Sequence, residues 1–377
     1  MSVDHAHRTK RECRGASRRE AMGFFAMDPL QDDDASNRLD PRFRRQVAFA
    51  RLGPCGQRRL LDSRVAIVGL GALGCSVAMQ LTRCGVGNLK LIDRDWVETD
   101  NLPRQILYTD SDAQQRLPKA VAAATHLKEI WSDLETDVKV ADLTWRNALE
   151  LLGDCHLVID GTDNFLTRYI INECQLETGI PWVHAGVVGT SGQVIFLHPG
   201  KTPCFRCLVP EPPPPEDQPT CDTAGVLLPA VQMVTAHQAM LAIQYLSNPH
   251  QPISMDMLLV DGWRHMIRSI ATDRLQTAGC PSCRGSRDFL RGRAGGDAVV
   301  LCGRNAVQIT PIQSQETDLG KIAKRWQGQG LERINPFLVR WQQGEWSITL
   351  FRDGRAVVGG TEDPAVARSL LARWVGN

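Results

Sequence analysis

The sequence lacks three features that would place the protein at a membrane, on a nucleic acid or outside the cell. No apolar run is long enough to span a bilayer. The 43 Lys and Arg residues almost balance the 42 Asp and Glu residues, so the net charge of +1 favours neither a nucleic-acid partner nor a membrane surface. No signal-peptide pattern opens the chain. We therefore expect a cytoplasmic protein with no membrane or nucleic-acid partner.

The length of 377 residues, 43% of them hydrophobic, is enough for two or three globular domains. Residues 1–38 differ from the rest, with basic clusters followed by the acidic run Asp32–Asp34. We expect this segment to be disordered or to be a spurious extension, with Met22 or Met27 as the true start. A targeting segment is the alternative.

Four of the 12 cysteines stand in two close pairs, Cys204-x-x-Cys207 and Cys280-x-x-Cys283. Each pair is too small to hold a metal ion alone, but the two together supply the four thiolates of a tetrahedral zinc site. Such a site would join the middle of the chain to a segment far downstream. The same spacing occurs in redox-active dithiols, and two matched pairs favour structural zinc over that alternative.

A buried strand, Arg64–Val68, runs directly into a glycine-rich turn, a helix and a second strand, Leu89–Ile92, that ends in Asp93. This order is typical of a nucleotide-binding β-α-β unit. It predicts an α/β fold of the Rossmann-like, doubly wound kind with a mostly parallel sheet. The glycines would admit phosphate to the helix N-terminus, and Asp93 would accept hydrogen bonds from a ribose. The turn glycines are Gly69, Gly71 and Gly74.

Polar residues beyond the second strand indicate which nucleotide is bound. A dehydrogenase needs no cluster of Arg, Lys, Asn and Gln there, whereas a triphosphate is matched by such charges and donors. Asp163 follows a further predicted strand, Leu157–Asp160, and is well placed to bind Mg²⁺. We therefore predict ATP as the nucleotide. The residues expected to hold its phosphates are Asn101, Arg104, Gln105 and Lys119.

These motifs together resemble the ThiF/MoeB family of adenylyltransferases, which is related to ubiquitin-activating enzymes. They run in family order over roughly residues 40–285, with Ala72 where the family usually has glycine. The matching segments are Arg42–Gln46, Gly69–Cys75, Asp93–Asp95, Asn101–Gln105, Pro118–Lys119, Asp160–Asn164, Pro203–Cys207, Thr220–Val226 and Cys280–Cys283.

The resemblance implies ATP-dependent adenylation of the C-terminal glycine of a ubiquitin-like sulfur-carrier protein that ends in Gly-Gly. It assigns phosphate binding to Arg104 and Lys119 and Mg²⁺ binding to Asp163. It also implies a homodimer in which Arg45 reaches the γ-phosphate bound by the partner. A sulfur-donor enzyme would then convert the activated carrier into a thiocarboxylate. The sequence leaves open whether the carrier serves thiamine or molybdopterin synthesis, with thiamine favoured.

Cys221 has two interpretations. It follows the proline run Pro212–Pro215, which predicts a crossover loop, and a cysteine exposed on such a loop can act as a nucleophile. In the resembled family this position can form a thioester or acyl-disulfide with the carrier. The alternative is an ordinary loop cysteine.

The C-terminal fifth of the chain is expected to be separate from the adenylation domain at residues 39–285. The Arg- and Gly-rich residues 286–297 predict a linker. Residues 298–377 then predict a small α+β domain in the order β-β-α-β-β-β-α, without a rhodanese active-site loop, which we expect to dock the carrier or a partner enzyme. Within the larger domain, Val226–Leu246 predicts a pair of buried helices.

Two other functional classes are compatible with parts of the pattern. A Rossmann NAD-dependent dehydrogenase would share the glycine turn but not the arginine and lysine cluster. A catalytically inactive scaffold would keep the fold and bind a ubiquitin-like partner, but it would not need Asp163, Arg104 and Lys119.

Overall fold

Two β-sheets of eight and six strands form the protein, as seen in a computed structural model that describes residues 39–213, 224–275, 279–293, 298–301, 305–311 and 316–375. The strands are β1 (Arg64–Val68), β2 (Asn88–Asp93), β3 (Glu135–Val140), β4 (Leu157–Asp160), β5 (Trp182–Val188), β6 (Ser191–Leu197), β7 (Met257–Asp261), β8 (Met266–Ile270), β9 (Ala298–Leu301), β10 (Ala306–Ile309), β11 (Leu331–Ile334), β12 (Leu338–Gln343), β13 (Trp346–Phe351) and β14 (Ala356–Gly359). The α-helices are α1 (Arg44–Val47), α2 (Gly53–Leu61), α3 (Ala72–Arg83), α4 (Asp110–Gln115), α5 (Lys119–Ile130), α6 (Ala148–Leu152), α7 (Phe165–Thr178), α8 (Phe205–Leu208), α9 (Leu228–Ser247), α10 (Leu319–Trp326) and α11 (Pro364–Trp374).

The eight-stranded sheet has the order β3-β2-β1-β4-β5-β6-β7-β8. Its first five strands pair in parallel, and the pairs formed by β6, β7 and β8 are antiparallel. The predicted mostly parallel sheet is therefore confirmed. No helix in the described part of the chain combines the length and apolar character needed to cross a membrane.

Helices cover both faces of this sheet. Alternate residues of each strand point to opposite sides, so apolar side chains on both faces need a helix to pack against. In β1, Val65 and Ile67 pack into the core that includes α3, α5 and α9. Ala66 and Val68 pack into a second core, which includes α6 and α7. A strand buried on both faces reads as a continuous apolar run, and this is how β1 could be predicted from sequence.

Several predicted elements differ from those observed. The predicted helix pair over Val226–Leu246 is wrong: it is the single helix α9, because no glycine or internal proline interrupts the segment beyond its first turn. Strands β3 and β8 were not predicted. Both lie at sheet edges, where most of their side chains are partly or fully exposed, so the apolar signal is weak.

The C-terminal module consists of the six-stranded antiparallel sheet β11-β12-β13-β14-β10-β9 with α10 and α11 packed against it. Its core contains Trp326 and Trp341, both almost fully buried. The sheet has one strand more than predicted, since β11 precedes the three expected strands. The module also contacts the larger domain, where the rings of Phe351 and Trp96 lie 5.6 Å apart.

Part of the segment predicted as a linker is attached to α7. The backbone N–H groups of Phe289 and Leu290 donate to the buried carboxylate of Glu173 at 2.9 and 3.0 Å. Both side chains are buried in the core that α7 helps to form. Residues 286–293 therefore continue the packed surface beyond the cysteine pairs.

Candidate nucleotide site and cysteine cluster

The predicted nucleotide residues converge at the carboxyl ends of β1, β2 and β4. Strand β1 pairs in parallel with β2 on one side and with β4 on the other. After β1 the chain turns to the face covered by α3, and after β4 it turns to the opposite face, covered by α7. Open α/β sheets bind ligands in the crevice between two such turns. The glycine turn follows β1, Asp93 ends β2, and Asp163 lies in the loop after β4.

The three turn glycines have different structural reasons. Gly69 has φ +82°, and a Cβ there would lie 2.8 Å from the carbonyl oxygen of Gly161. A Cβ on Gly74 would lie 1.8 Å from the carbonyl oxygen of Gly69. Gly71 is at the N-cap of α3, and a Cβ there would meet no protein atom within 4 Å. Gly69 and Gly74 therefore permit the tight turn, whereas Gly71 faces open space that a phosphate can enter.

Asp93 joins the glycine turn to the end of β2. Its Oδ2 accepts the backbone N–H of Leu70 at 2.5 Å, and its Oδ1 accepts the backbone N–H of Asp95 at 2.6 Å. Burial raises the pKa of Asp93, and nearby Lys119 opposes the rise. Each carboxylate oxygen has a second lone pair, so Asp93 can still accept from ribose hydroxyls.

Two buried amides next to this turn have oxygens without a partner. Asn101 and Gln105 are almost fully buried, yet neither the Oδ1 of Asn101 nor the Oε1 of Gln105 accepts a hydrogen bond within the described residues. Buried polar atoms are nearly always hydrogen-bonded in folded proteins. These two oxygens therefore retain the capacity to accept a hydrogen bond from a ligand or from water.

The two predicted cationic groups, Lys119 and Arg104, differ in burial. Lys119 is buried at the start of α5, with its Nζ 3.6 Å from Asp95 Oδ2. Arg104 is partly exposed and donates from Nη1 to the carbonyl oxygen of Asp100 at 2.7 Å. Both side chains lie in the sequence-predicted segments and carry the charge that a triphosphate requires.

A buried network holds the loop that bears Asp163. Asp160 accepts the N–H and hydroxyl of Thr162 at 2.8 and 2.6 Å and a hydrogen bond from His184 Nδ1 at 2.7 Å. The Nε of Arg168 is 3.3 Å from the same carboxylate. Burial acts to raise the pKa of Asp160, but Arg168 and His184 outweigh it and hold that pKa below its ordinary value. Asp163 itself is exposed and available for a cation.

Two predicted catalytic residues are not part of this cluster. Arg45 lies exposed on α1, and none of the contacts described for this single chain joins it to the nucleotide site. Its predicted role across a dimer stays a prediction. Cys221 lies outside the described residues.

The four predicted metal ligands come together in a second site. The Sγ atoms of Cys204, Cys207, Cys280 and Cys283 all lie within 4.8 Å of one another. Measured Sγ–Sγ distances are 3.6, 3.6 and 3.8 Å. A tetrahedron with Zn–S bonds of about 2.3 Å has edges of about 3.8 Å, so the cluster fits zinc.

The chemistry of the donors agrees with this fit. Without a cation, burial raises the pKa of Cys204 and raises that of Cys283 to about 11. The thiolates of a tetrahedral site therefore need a bound metal to form at neutral pH. Glu173 also bridges the two pairs: its carboxylate accepts the Ser282 hydroxyl at 2.9 Å and lies 3.7 Å from Arg206.

Sequence analysis missed the residues that hold the site together. Tyr108 donates its hydroxyl to the carbonyl oxygen of Leu70 at 2.7 Å, so both backbone polar groups of Leu70 are hydrogen-bonded to side chains. His184 donates to Asp160, and a pair 24 residues apart could not be identified from spacing. The only available signal was the position of Asp160 and Arg168 around the Asp163 motif.

An α/β sheet with a clamped glycine turn and converging Lys, Asn, Gln and Asp side chains defines the class of Rossmann-type nucleotide-binding proteins. Within that class the chain belongs to the ThiF family, whose sequence pattern matches residues 43–282. The resemblance found from the sequence is thereby confirmed.

Two curated relatives are similar over long regions. The sulfur carrier protein ThiS adenylyltransferase of Bacillus subtilis is 40% identical over 339 residues, which cover 89% of this chain and 99% of that protein. A sulfur carrier protein adenylyltransferase of Thermus thermophilus is 38% identical over 249 residues, covering 64% of this chain and 90% of its own. Among solved structures, E. coli MccB with MccA-N7isoASN has a TM-score of 0.56 at 20% identity, covering 65% of this chain and 75% of MccB; it supports the fold alone.

The glycine geometry generates a paired prediction. We expect Gly74→Ala to destabilise the protein by about 1–3 kcal/mol, because the added Cβ overlaps the Gly69 carbonyl oxygen. We expect Gly71→Ala to keep the stability of the wild type but to bind ATP more weakly, because its Cβ enters the open space. Thermal unfolding and calorimetric titration with ATP measure the two effects. Normal ATP binding by Gly71→Ala would show that phosphate does not approach this glycine.

Proposed function

We propose that the protein adenylates the C-terminal glycine of a ubiquitin-like sulfur carrier with ATP. The observation that carries the proposal is the juxtaposition of a glycine turn clamped by Asp93 with buried Lys119 and exposed Asp163. The similarity to the Bacillus subtilis protein over 99% of its length supports a ThiS-type carrier rather than another ubiquitin-like protein.

In the proposed reaction, a carboxylate oxygen at the carrier's C-terminus attacks the α-phosphorus of ATP. The bond from that phosphorus to the bridging oxygen breaks, and pyrophosphate leaves with its electron pair. The products are an acyl-adenylate and pyrophosphate. The protein is asked for little covalent chemistry, so positioning and charge stabilisation supply most of the rate.

Each predicted residue has a task in this scheme. Gly71 admits the phosphates to the N-terminus of α3, and Asp93 accepts from the ribose. Lys119 and Arg104 neutralise phosphate charge, while Asn101 and Gln105 orient the triphosphate through their amides. Asp163 would hold Mg²⁺, which supplies charge neutralisation on the leaving pyrophosphate. We further propose a homodimer in which Arg45 acts in the partner's site.

The proposal also includes a structural metal ion, a cellular location and a sulfur donor. We propose that the four-cysteine cluster binds Zn²⁺ as a structural ion, supported by the Sγ spacing and by the presence of four thiol donors. A cytoplasmic location also stays a prediction. A sulfur-donor enzyme would act after adenylation.

The first test removes the predicted Mg²⁺ ligand. Asp163→Ala should lower carrier-dependent ATP–pyrophosphate exchange by about 100-fold or more, because charge on the leaving group is no longer neutralised. The fold should be unchanged, since Asp163 is exposed and its loop is held by Asp160. Asp133→Ala, an exposed aspartate on another loop, is the control. Near-normal exchange by Asp163→Ala would remove this residue from the mechanism.

A second test separates the two steps of carrier activation. Cys221→Ser should leave acyl-adenylate formation unchanged and abolish thiocarboxylate formation with a sulfur donor, because only the second step needs a thiol. Mass spectrometry of the intact carrier reports both products. Cys55→Ser replaces an exposed cysteine of α2 and should affect neither step. A Cys221→Ser enzyme that supports both steps would exclude a covalent role.

The third test concerns the metal. Purified protein should contain one zinc ion per chain, and Cys204→Ser should lose it. Because the site joins segments 76 residues apart, metal loss should lower the thermal midpoint by roughly 10 °C. Elemental analysis and thermal unfolding with and without a chelator measure this, with Cys55→Ser as the control. Zinc-free protein of wild-type stability would contradict the assignment.

A further inference from the structure

The C-terminal module contacts the larger domain next to the nucleotide site, at the turn that carries Asp93 and Asp95. We propose that Arg355, on the module, is a positioning residue for ATP binding: it fixes the backbone of Arg94, and through it the spacing of Asp93 and Lys119. This inference rests on the proposed function, and it assigns the module a role different from the carrier docking expected from the sequence.

Arg355 is a buried cation whose main partner lies outside its own module. It is 1% exposed, and its Nη2 donates to the carbonyl oxygen of Arg94 at 2.5 Å. The guanidinium carbon lies 3.7 Å from the centre of the Phe351 ring, which in turn packs against Trp96 of the larger domain. Burial lowers the pKa of Arg355. The Asp353 carboxylate, 3.8 Å away, acts in the opposite direction and compensates only in part.

A second contact closes a ring of polar groups across the boundary. Gln308 of the module is 1% exposed and donates from Nε2 to Asp142 Oδ2 at 2.6 Å. The same oxygen accepts the side chain of Arg94 at 3.1 Å. Gln308 Oε1 lies 3.4 Å from Arg355 Nη1. The backbone and the side chain of Arg94 are therefore both held by groups that the module supplies or orients.

Arg94 lies between the two carboxylates that organise the site. Asp93, before it, accepts from the glycine turn, and Asp95, after it, pairs with Lys119 at 3.6 Å. Burial acts to lower the pKa of Arg94, but Asp142, Asp95 and Asp163 outweigh it and raise that pKa. A shift of the Arg94 backbone would consequently move the ribose acceptor and the phosphate-binding lysine together.

The module also holds the strand-like segment that precedes Lys119. The backbone N–H of Val97 donates to Leu117, and that of Lys119 donates to Asp95, both at 2.9 Å. Just before this pairing, Arg116 lies 3.4 Å from Glu332 of the module. The paired segments are therefore bounded by module contacts at both residue 94 and residue 116.

The experiment compares four variants of the full-length protein. Arg355→Met keeps the length of the side chain but loses its donors, and Arg355→Lys restores one donor. Gln308→Met removes the contact with Asp142 without removing a buried charge. Arg352→Met is the control, because Arg352 lies in the turn after β13, is largely exposed and pairs only with Glu316 among the described residues.

We expect Arg355→Met to bind a non-hydrolysable ATP analogue about ten-fold more weakly in calorimetry, because a buried acceptor loses its donor. In steady-state exchange assays the KM for ATP should rise by a similar factor, while the KM for the carrier stays within about two-fold of wild type. Arg355→Lys should recover part of the loss, Gln308→Met should show a smaller loss, and Arg352→Met should match wild type.

The outcomes separate this inference from the proposed function. Wild-type protein that ignores the ATP analogue would overturn the proposed function. Wild-type protein that binds it, with Arg355→Met and Gln308→Met binding equally well, would overturn the positioning role alone. A rise in the KM for the carrier without a change for ATP would also overturn it and would favour a docking module. If Arg355→Met is unfolded by circular dichroism, Gln308→Met and Arg355→Lys decide the result.

Discussion

The site depends on one interaction, the pair of hydrogen bonds that the Asp93 carboxylate accepts from the backbone of Leu70 and Asp95. These bonds join the turn after β1 to the end of β2, two backbone segments that regular sheet pairing no longer connects. A buried carboxylate is stable only when its oxygens are satisfied. The protein therefore cannot change the glycine turn without also disturbing the segment that pairs with Lys119.

The other side of the crevice uses the same device. Asp160 is fully buried at the end of β4 and accepts from Thr162 and His184, with Arg168 close by. Two buried carboxylates thus anchor the loops, and neither has to move when a ligand binds. Asp163, three residues after Asp160, is exposed, and the oxygens of Asn101 and Gln105 accept no hydrogen bond within the described residues. Loops held in place by buried carboxylates before a ligand arrives provide the preorganisation that electrostatic catalysis requires.

The sequence predicts what repeats locally and misses what depends on distant partners. Short spacings define strand β1, the glycine turn, Asp93 and the cysteine pairs. The structure joins the glycine turn to Asp93 and, in a separate cluster, one cysteine pair to the other. Strands β3, β8 and β11 have few buried side chains and so carry little apolar periodicity. Arg355 looks like a solvated turn residue, because its partner Arg94 is 261 positions away. No local pattern could have identified it.

The cysteine cluster is mechanically connected to the nucleotide site through α7. Asn164, directly after Asp163, is the N-cap residue of this helix, and its side chain accepts the N–H of Thr167. Further along the same helix, Asn172 accepts the N–H of Phe205 and Glu173 accepts from Ser282, so α7 holds both cysteine pairs. Near the end of β5, the backbone N–H of Gly189 donates to the carbonyl oxygen of Gly225 at 2.8 Å. A metal ion bound by the cluster would therefore stabilise the packing of α7, the helix whose N-cap residue directly follows Asp163.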